Sequence, residues 1–236
     1  MDVSEPGFQE LFQDVSADLV GVVDLEEHKE SSVFSLSRGI LPGARSAVVL
    51  ASEILPEVIR FFTSQRSVGA LQLSDIASRI MELVSGHLDW DAYTIAKKLN
   101  RAGYRVVPLP AWGAPFDLRE IRGVIPYGQL ARMAGLGTTG WHSMLLTPEF
   151  GARVRLAALL TDALLPAGKS PESYYRCPEF GGACVKICPA GAISLPDEAG
   201  HISIDRFKCN NMIESSGGCS ECLKICPAGK RTTFSG

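Results

Sequence analysis

The segment VKICPAG, at residues 185–191, recurs almost unchanged as LKICPAG at residues 223–229. The match is too long to arise by chance, and it predicts a duplicated unit with pseudo-twofold symmetry. All seven cysteines of the chain lie within residues 177–236, and residues 1–176 contain none. The sequence therefore divides into an N-terminal region and a Cys-rich region.

Both copies place cysteines at a spacing that is typical of iron–sulfur clusters. The second copy carries the C-x2-C-x3-C-P run of bacterial ferredoxins at residues 219–227, and in that pattern the last cysteine binds the cluster of the other half. Thiolates two residues apart wrap one face of a cubane cluster, and the amides of the tight loop face its sulfides. Zinc ribbons also use C-x2-C pairs, but they need neither the final Cys-Pro step nor an odd seventh cysteine. The pattern therefore favours iron–sulfur clusters over zinc.

Crossed ligation divides the cysteines into two sets. The four-cysteine set comprises Cys188, Cys209, Cys219 and Cys222. The three-cysteine set comprises Cys177, Cys184 and Cys226, and it lacks a thiolate at Gly181, where the pattern expects one. We expect a [4Fe–4S] cluster at the first set. At the second we expect a [3Fe–4S] or [4Fe–4S] cluster whose open iron binds water, another side chain or a ligand. The alternative is that the second cluster is not held and its cysteines are spectators.

Composition restricts the compartment and the partners. The 236 residues carry a net charge of −3 and are 46% hydrophobic, which suits a folded core and not a generally basic nucleic-acid binder. The most apolar stretch, residues 47–62, is interrupted by charges and is too short to span a membrane. The acidic N-terminus matches neither a secretory nor a twin-arginine leader. We expect a cytoplasmic protein without membrane contact, in which disulfides do not form.

The N-terminal region, residues 1–163, is predicted to be an α/β domain. Short β-branched runs predict strands at residues 18–25, 45–54 and 104–109. Apolar periodicity predicts helices at residues 6–16, 74–101 and 127–133, the second of them broken at Gly86 or at residues 89–91. Residues 142–147 and 153–161 predict a hairpin joined by PEFG. A Pro/Gly/Ser-rich linker is predicted at residues 164–176, before a ferredoxin-like domain at residues 177–236, so the fold class is α+β.

The turn AGLGTTG, residues 134–140, contains a literal G-x-G-x-x-G. A dinucleotide fingerprint must follow a strand and open a helix, whereas here a helix precedes the turn and strands follow it. We therefore expect a different large cofactor to approach the backbone here, with a purely structural turn as the alternative. The predicted cofactor contacts are Gly135, Leu136, Gly137, Gly140, His142 and Ser143. A lone histidine beside an apolar run is also often a packed residue, and this alternative stays open for His142.

The run AGLGTTGWHSMLLTPEFGARVRLAALLTD, residues 134–162, resembles the AGLGxxG…LL…PEYG…LLTD core of the epoxyqueuosine reductases. These are cobalamin-dependent iron–sulfur enzymes of queuosine biosynthesis, related to reductive dehalogenases. The segment LPGARSAVVL, residues 41–50, is similar to their early LVPGARSV strand, and the two-cluster tail follows in the same order. The resemblance implies a nitroreductase-like α/β fold, a corrinoid between that domain and the clusters, and electron delivery from a cluster to cobalt.

The chain departs from this family at several positions. Ile121 stands where the family has its general-acid aspartate, and Tyr127 is the nearest phenol, which is similar to the tyrosine donor of reductive dehalogenases. Trp141-His142 replaces a Lys-Asn pair, and Gly181 replaces a cysteine that the family keeps. The chain is also shorter and lacks the family's C-terminal extension. These departures argue against tRNA-bound epoxyqueuosine as the substrate.

Together these features predict an enzyme, a corrinoid-linked reductase working in anaerobic, low-potential chemistry. A low-potential donor would reduce one cluster, the electrons would reach cobalt through the other, and Tyr127 would protonate a small-molecule substrate. One alternative is an electron-transfer protein that docks a partner and binds no corrinoid. Another is an activator or sensor whose open cluster binds a ligand. No nucleic-acid partner is expected, since the charge provides no phosphate-binding stripe.

Overall fold

The structure is a computed structural model that describes residues 8–65, 68–111, 116–117, 119–168, 177–198 and 200–229. Its centre is a four-stranded antiparallel sheet in the order β1-β2-β8-β3. These strands are β1 (Leu19–Asp24), β2 (Ser46–Glu53), β3 (Val106–Leu109) and β8 (Val154–Thr161). Two short pairs accompany it: β4 (Phe116–Asp117) with β5 (Arg122–Gly123), and β6 (Thr138–Thr139) with β7 (Leu145–Leu146). The strands predicted at residues 18–25, 45–54 and 104–109 are confirmed.

The predicted hairpin between residues 142–147 and 153–161 is wrong. The PEFG turn does close on itself, because the amides of Thr147 and Gly151 each donate to the other residue's carbonyl at 2.9 Å. However, β7 pairs with β6, whereas β8 lies between β2 and β3. A two-residue strand offers β8 little to pair with, and the apolar β8 is buried better in the middle of the larger sheet.

Helices cover both faces of the sheet. The N-terminal region contains α1 (Phe8–Leu11), α2 (Ser32–Ile40), α3 (Pro56–Phe61), α4 (Ala70–Arg101) and α5 (Tyr127–Met133). The Cys-rich region contains α6 (Ala183–Ile187), α7 (Arg206–Ser216) and α8 (Glu221–Ile225). Short 3-10 helices lie at Leu25–His28 and Cys177–Phe180. Helix α5 has the bounds predicted for it, α1 is shorter than predicted, and α2 and α3 were not predicted.

Helix α4 runs without interruption, so the predicted break at Gly86 or residues 89–91 is wrong. Gly86 is exposed and close to nothing outside the helix. The carboxylate of Asp91 accepts from the amides of Ser16 and Ala17, at 3.0 and 2.8 Å, and that of Asp89 accepts from the amide of Ala111 at 2.5 Å. These aspartates hold neighbouring loops against the helix instead of ending it.

The core has two apolar layers, one on each face of the sheet. Strand residues alternate between them, so that Val49 and Leu160 face one layer while Val48 and Leu159 face the other. The first layer is completed by α2 and α5, and the second by the buried face of α4. The fold is therefore mixed α/β, as predicted. Among the described residues, no helix is both long and apolar enough to cross a membrane.

The predicted linker begins as part of the folded N-terminal region. Leu165 is buried, and its amide donates to Ser46 Oγ at 3.0 Å. The amide of Gly168 donates to the carbonyl of Val22 at 3.0 Å. Residues 164–168 therefore pack along the sheet, and the rest of the predicted linker, residues 169–176, lies outside the described residues.

Candidate metal and cofactor site

The predicted duplication is visible in the backbone of the Cys-rich region. Helices α6 and α8 each carry a cysteine at their second position, Cys184 and Cys222, and each ends directly before a Cys-Pro pair. Cys188 and Cys226, which cap these helices, have nearly the same conformation, with φ/ψ of −61°/111° and −68°/120°. The proline after each cap favours this extended conformation and ends the helix. Both Cys-Pro pairs are therefore presented in the same way.

The four-cysteine set brings residues from both copies together. Burial raises the pKa of Cys209, and the charges of Cys188 and Cys219 raise it further. Burial also raises the pKa of Cys222 to about 12, with further contributions from Cys219, Cys209 and Cys188. Cys188 Sγ accepts a hydrogen bond from the amide of Ala192 at 3.3 Å. Burial thus favours the protonated thiols of Cys209 and Cys222, so a metal that binds them must release their protons.

The three-cysteine set lines a small cavity. Its walls also contain Trp141, His142, Phe180 and Gly182. Burial raises the pKa of Cys184 and of Cys226, and the neighbouring charge of Cys177 raises both further. The space left in this cavity for a solvent-sized molecule is about 20 Å³. Chemically the wall suits an iron–sulfur cluster, because all members of the three-cysteine set line it.

The two sets adjoin at Cys184. A charge on Cys184 raises the pKa of Cys222 in the four-cysteine set, and a charge on Cys188 of that set raises the pKa of Cys184. None of the seven cysteines forms a disulfide. In the described ranges, no three His, Cys, Asp or Glu side chains are arranged to hold a metal ion. One tetrahedral zinc ion, with Zn–S bonds of ~2.3 Å, requires such convergence, whereas a cluster takes its thiolates around the outside of a cubane.

Gly181 does not face the three-cysteine set. It has a φ of +61°, a left-handed conformation that favours glycine, and a Cβ built on it lies 3.8 Å from Lys186 Nζ. Gly182, not Gly181, forms part of the cavity wall. Replacing Gly181 by cysteine would therefore direct a thiol away from the open position of the set.

A larger cavity of about 470 Å³ lies between residues 142–144, which follow the glycine turn, and α7. Its polar wall includes His142, Ser143, Arg206 and Asn210, its apolar wall includes Ile121, Met144 and Ile213, and Cys209 of the four-cysteine set also borders it. Two wall residues have positive φ without being glycine, Ile121 at 49° and Ser143 at 60°. Such strained backbone is most often found where function holds it in place. The volume lies within the range of ~300–1,000 Å³ for ligand pockets.

The wall residues on α7 were missed by the sequence analysis. Arg206, Cys209, Asn210 and Ile213 follow a spacing of three, one and three residues, which places them on one helical face. Only Cys209 had been singled out. The helical spacing around it was the signal that would have identified the other three.

His142 lies between the two cavities and contributes to the walls of both. The side chain is only 2% exposed, and burial lowers its pKa to about 4, so the ring is neutral near pH 7. Its Nδ1 accepts a hydrogen bond from the amide of Met144 at 3.1 Å. Its Nε2 is buried and has no partner in the described structure. The predicted contacts His142 and Ser143 therefore do lie at a cavity.

The glycine turn itself does not line the larger cavity. A Cβ on Gly137 would lie 2.2 Å from the carbonyl oxygen of Leu146, and one on Gly140 would lie 2.9 Å from His142 Cε1. Gly135 has a φ of +84°, and Leu136 packs against the apolar layer beneath α5. The turn lies directly against β7, which gives these four residues a packing role, and their contact with a cofactor stays a prediction.

Tyr127 is also absent from the cavity wall. Its hydroxyl donates to the carbonyl of Pro110 at 2.9 Å. Burial raises its pKa, and the charge of Asp89 raises it further. The proton is thus held in a structural hydrogen bond, and the prediction of Tyr127 as the proton donor at this cavity does not agree with its position. Ile121, at the position of the family's acid, does face the cavity.

Comparison with known proteins tests the predicted resemblance. The chain is similar to the epoxyqueuosine reductase of Escherichia coli (strain K12), at 35% identity over 116 residues that cover 42% of this chain and 28% of the relative. It is similar to that of Vibrio cholerae at 27% identity over 205 residues, or 80% of this chain and 51% of the relative. The chain thus matches about half of these relatives' length or less. No protein-family model matches it.

Solved structures agree with this similarity. A catabolic reductive dehalogenase in complex with 3-bromo-4-hydroxybenzoic acid matches with a TM-score of 0.70 at 20% identity, over 99% of this chain and 33% of that one. This chain has the fold found in reductive dehalogenases. An epoxyqueuosine reductase with a tRNA stem loop matches with a TM-score of 0.56 at 17% identity, over 93% of this chain and 64% of that one. The predicted resemblance to both groups is confirmed, and the names of the relatives agree with an oxidoreductase.

Proposed function

We propose that this chain is a corrinoid-linked iron–sulfur reductase, with a nitroreductase-like domain and a two-cluster ferredoxin-like domain. The four-cysteine set holds a [4Fe–4S] cluster, the three-cysteine set holds an open-shell cluster, and one edge of a corrinoid enters the larger cavity. This proposal depends most on one observation: Cys209 belongs to the four-cysteine set and also borders that cavity. A cluster bound there lies beside the corrinoid.

The adjoining thiol sets support a path for electrons through the chain. Electrons from a low-potential donor enter at one cluster and cross where Cys184 and Cys222 lie close together. The amide of Ala192, which donates to Cys188 Sγ, stabilises negative charge at the four-cysteine set. The protein thus sets the positions of the clusters and their reduction potentials.

The walls of the larger cavity fit a large cofactor with a polar edge. Ser143, Arg206 and Asn210 offer hydrogen bonds to that edge, while Ile121, Met144 and Ile213 exclude water from the apolar part. A bound corrinoid supplies a cobalt centre that accepts electrons and passes them to the substrate. His142 Nε2 is shielded from solvent, so it does not serve as a cobalt ligand from the open side of this cavity.

We propose a small molecule as the substrate. The apolar Ile121 occupies the position of the family's acid and faces the cavity, which removes the proton donor that epoxyqueuosine reductases have there. The tRNA stem loop bound by a structural neighbour weighs against excluding nucleic acid. The net charge of −3 weighs in the other direction. The replacement of the family's acid by Ile121 favours a small-molecule substrate.

Anaerobic reconstitution followed by cobalamin titration tests this function. We expect about eight iron atoms per chain, or about seven if the open-shell cluster is [3Fe–4S], and saturable binding of hydroxocobalamin with a spectral change on adding dithionite. About four iron atoms would contradict the two-cluster part. Clusters without cobalamin binding would contradict the corrinoid part and favour an electron-transfer protein.

Two neighbouring variants on α7 provide the matched control. Asn210→Trp fills the larger cavity and is expected to weaken cobalamin binding at least tenfold while the iron content stays the same. Asn211→Trp places the same bulk at an exposed position beside it, outside the cavity wall, and is expected to bind normally. Equal loss in both variants would place the corrinoid elsewhere.

A further inference from the structure

His142 Nε2 is a buried polar atom without a visible partner. Burying a polar group without a hydrogen bond costs on the order of 1–3 kcal/mol, so such atoms are rare in folded proteins. The imidazole is 2% exposed and belongs to a loop held in place on both sides, by the β6–β7 pair and by the left-handed Ser143. Its position is therefore well defined, and the missing partner requires an explanation.

The hydrogen bond at the other ring nitrogen identifies Nε2 as a donor. Because Nδ1 accepts from the amide of Met144, it carries no proton. A neutral imidazole must then carry its single proton on Nε2. The partner that Nε2 needs is consequently an acceptor, and not a cation.

The small cavity is the place for that acceptor. The larger cavity is open to solvent-sized molecules, and an atom pointing into it would be exposed, but Nε2 has no accessible surface. On the other side, His142 contributes to the wall of the small cavity together with all members of the three-cysteine set. Sulfur is the acceptor that this wall offers.

We infer that His142 Nε2–H donates a hydrogen bond to a sulfur atom of the cluster held by the three-cysteine set, an inference that rests on the proposed function. His142 is then a positioning and tuning residue for the open-shell cluster and not its fourth ligand. Ligation through Nε2 would require this nitrogen to lose its proton while Nδ1 still accepts from Met144. The open position is left for an exogenous ligand.

A hydrogen bond to cluster sulfur favours the reduced state. Reduction adds negative charge to the cluster, and a fixed N–H dipole stabilises that charge. Removing the donor should therefore make the open-shell cluster harder to reduce. The cluster at the four-cysteine set should change less, because His142 shares the small cavity with all members of the three-cysteine set and borders the larger cavity with Cys209 alone of the other set.

Three substitutions separate the two ring nitrogens. In His142→Asn the side-chain oxygen can replace Nδ1 as the acceptor for Met144, while the distal donor is lost. In His142→Gln the amide nitrogen reaches the place of Nε2 and restores the donor. His87→Asn makes the first change on the exposed surface of α4 and serves as the matched control. Each protein is reconstituted anaerobically, and iron content, EPR-monitored redox titration and exchangeable-proton couplings are measured.

We expect His142→Asn to lower the ratio of reduced to oxidised open-shell cluster about tenfold at a fixed potential, which corresponds to ~59 mV for one electron. The EPR signal of this cluster in His142→Asn should also lack a coupling to an exchangeable proton, whereas His142→Gln and His87→Asn should retain that coupling. Unchanged titrations in His142→Asn with both clusters present would overturn the inference and leave the proposed function intact. A strong nitrogen coupling in the unaltered protein would overturn it in favour of ligation. Failure of the unaltered protein to bind clusters would instead contradict the proposed function.

Discussion

At the scale of single residues, the polar groups with unusual environments divide into structural and functional ones. Tyr127 and His142 are both largely buried, and burial disfavours the charged form of each. The hydroxyl of Tyr127 is satisfied by the carbonyl of Pro110, whereas Nε2 of His142 has no partner among the residues that the structure describes. A perturbed pKa alone therefore does not identify a functional group, and an unsatisfied atom beside a cavity is the better indication.

The structural role of Tyr127 predicts a particular pH dependence for Tyr127→Phe. Below pH 10 the variant should be less stable by about 1 kcal/mol, because the hydrogen bond to Pro110 is lost. The folded pKa of Tyr127 is raised, so its contribution is present below the unfolded value of ~10 and is lost as the pH rises further. The difference between the two proteins should shrink above pH 10, as measured by urea unfolding.

Tyr93→Phe is the control for this experiment. It removes an exposed phenol from α4 and should stay within about 0.5 kcal/mol of the unaltered protein at pH 8. A stability difference for Tyr127→Phe that stays constant from pH 8 to pH 11 would contradict the buried, hydrogen-bonded state of Tyr127.

At the scale of elements, glycines have opposite roles in α4 and in the glycine turn. Gly86 lies in the middle of a 32-residue helix with open space around it, and nothing in the structure requires its lack of a side chain. Gly137 lies where the turn crosses β7, and a Cβ there would overlap the carbonyl of Leu146. The same residue type thus weakens one element and permits the close packing of the other.

Alanine substitutions at these two glycines should change the stability of the protein in opposite directions. Gly86→Ala is expected to stabilise the protein by about 0.5–1 kcal/mol, since alanine loses less backbone entropy in a helix. Gly137→Ala is expected to destabilise it by about 1–3 kcal/mol or more, because the loop must shift to relieve the overlap. Thermal and urea unfolding of the two variants measure both changes. Equal effects of the same sign would contradict the packing of the turn against β7.

At the scale of the whole molecule, the Cys-rich region is docked on the N-terminal region by specific contacts. Ser220 Oγ lies 2.6 Å from the carbonyl of Ile59 and 2.8 Å from that of Phe62, both at the end of α3. The carboxylate of Glu221 accepts from the amide of Ser64 at 3.2 Å. These contacts fix the cysteine sets relative to the cavity that they border.

Ser220→Ala should weaken this docking. The serine is buried, so the variant leaves carbonyl groups without their donor and should lose about 1–3 kcal/mol. Ser194→Ala, at an exposed position of the same region, should stay within about 0.5 kcal/mol of the unaltered protein. Urea unfolding measures the stability, and hydrogen exchange at α8 reports the docking. Unchanged exchange in Ser220→Ala would show that other contacts hold the two regions together.

The sequence predicts those parts of the molecule that follow from short-range patterns. The strands of the sheet and α5 were expected from periodicity, and the repeated Cys-Pro segments were expected from spacing, but the short helices that precede them were not. The pairing of β8 was not predicted, because it depends on which distant strands compete for the same edge of the sheet. The close contacts of Gly137 and Gly140 with residues 142–146 were not predicted either, because the spacing of residues along the chain does not reveal them. His142 was singled out, but its unsatisfied nitrogen is visible only in three dimensions.

The proposed exchange of Cys188 and Cys226 between the two copies has a consequence for the order of biosynthesis. In this assignment the three-cysteine set includes Cys226 as well as Cys177, and the four-cysteine set includes Cys222 as well as Cys188. During translation, neither set is then complete until the second copy has left the ribosome. We therefore expect metal loading of the first copy to wait for the second, and a chain interrupted between the copies to expose thiols that cannot yet form either site.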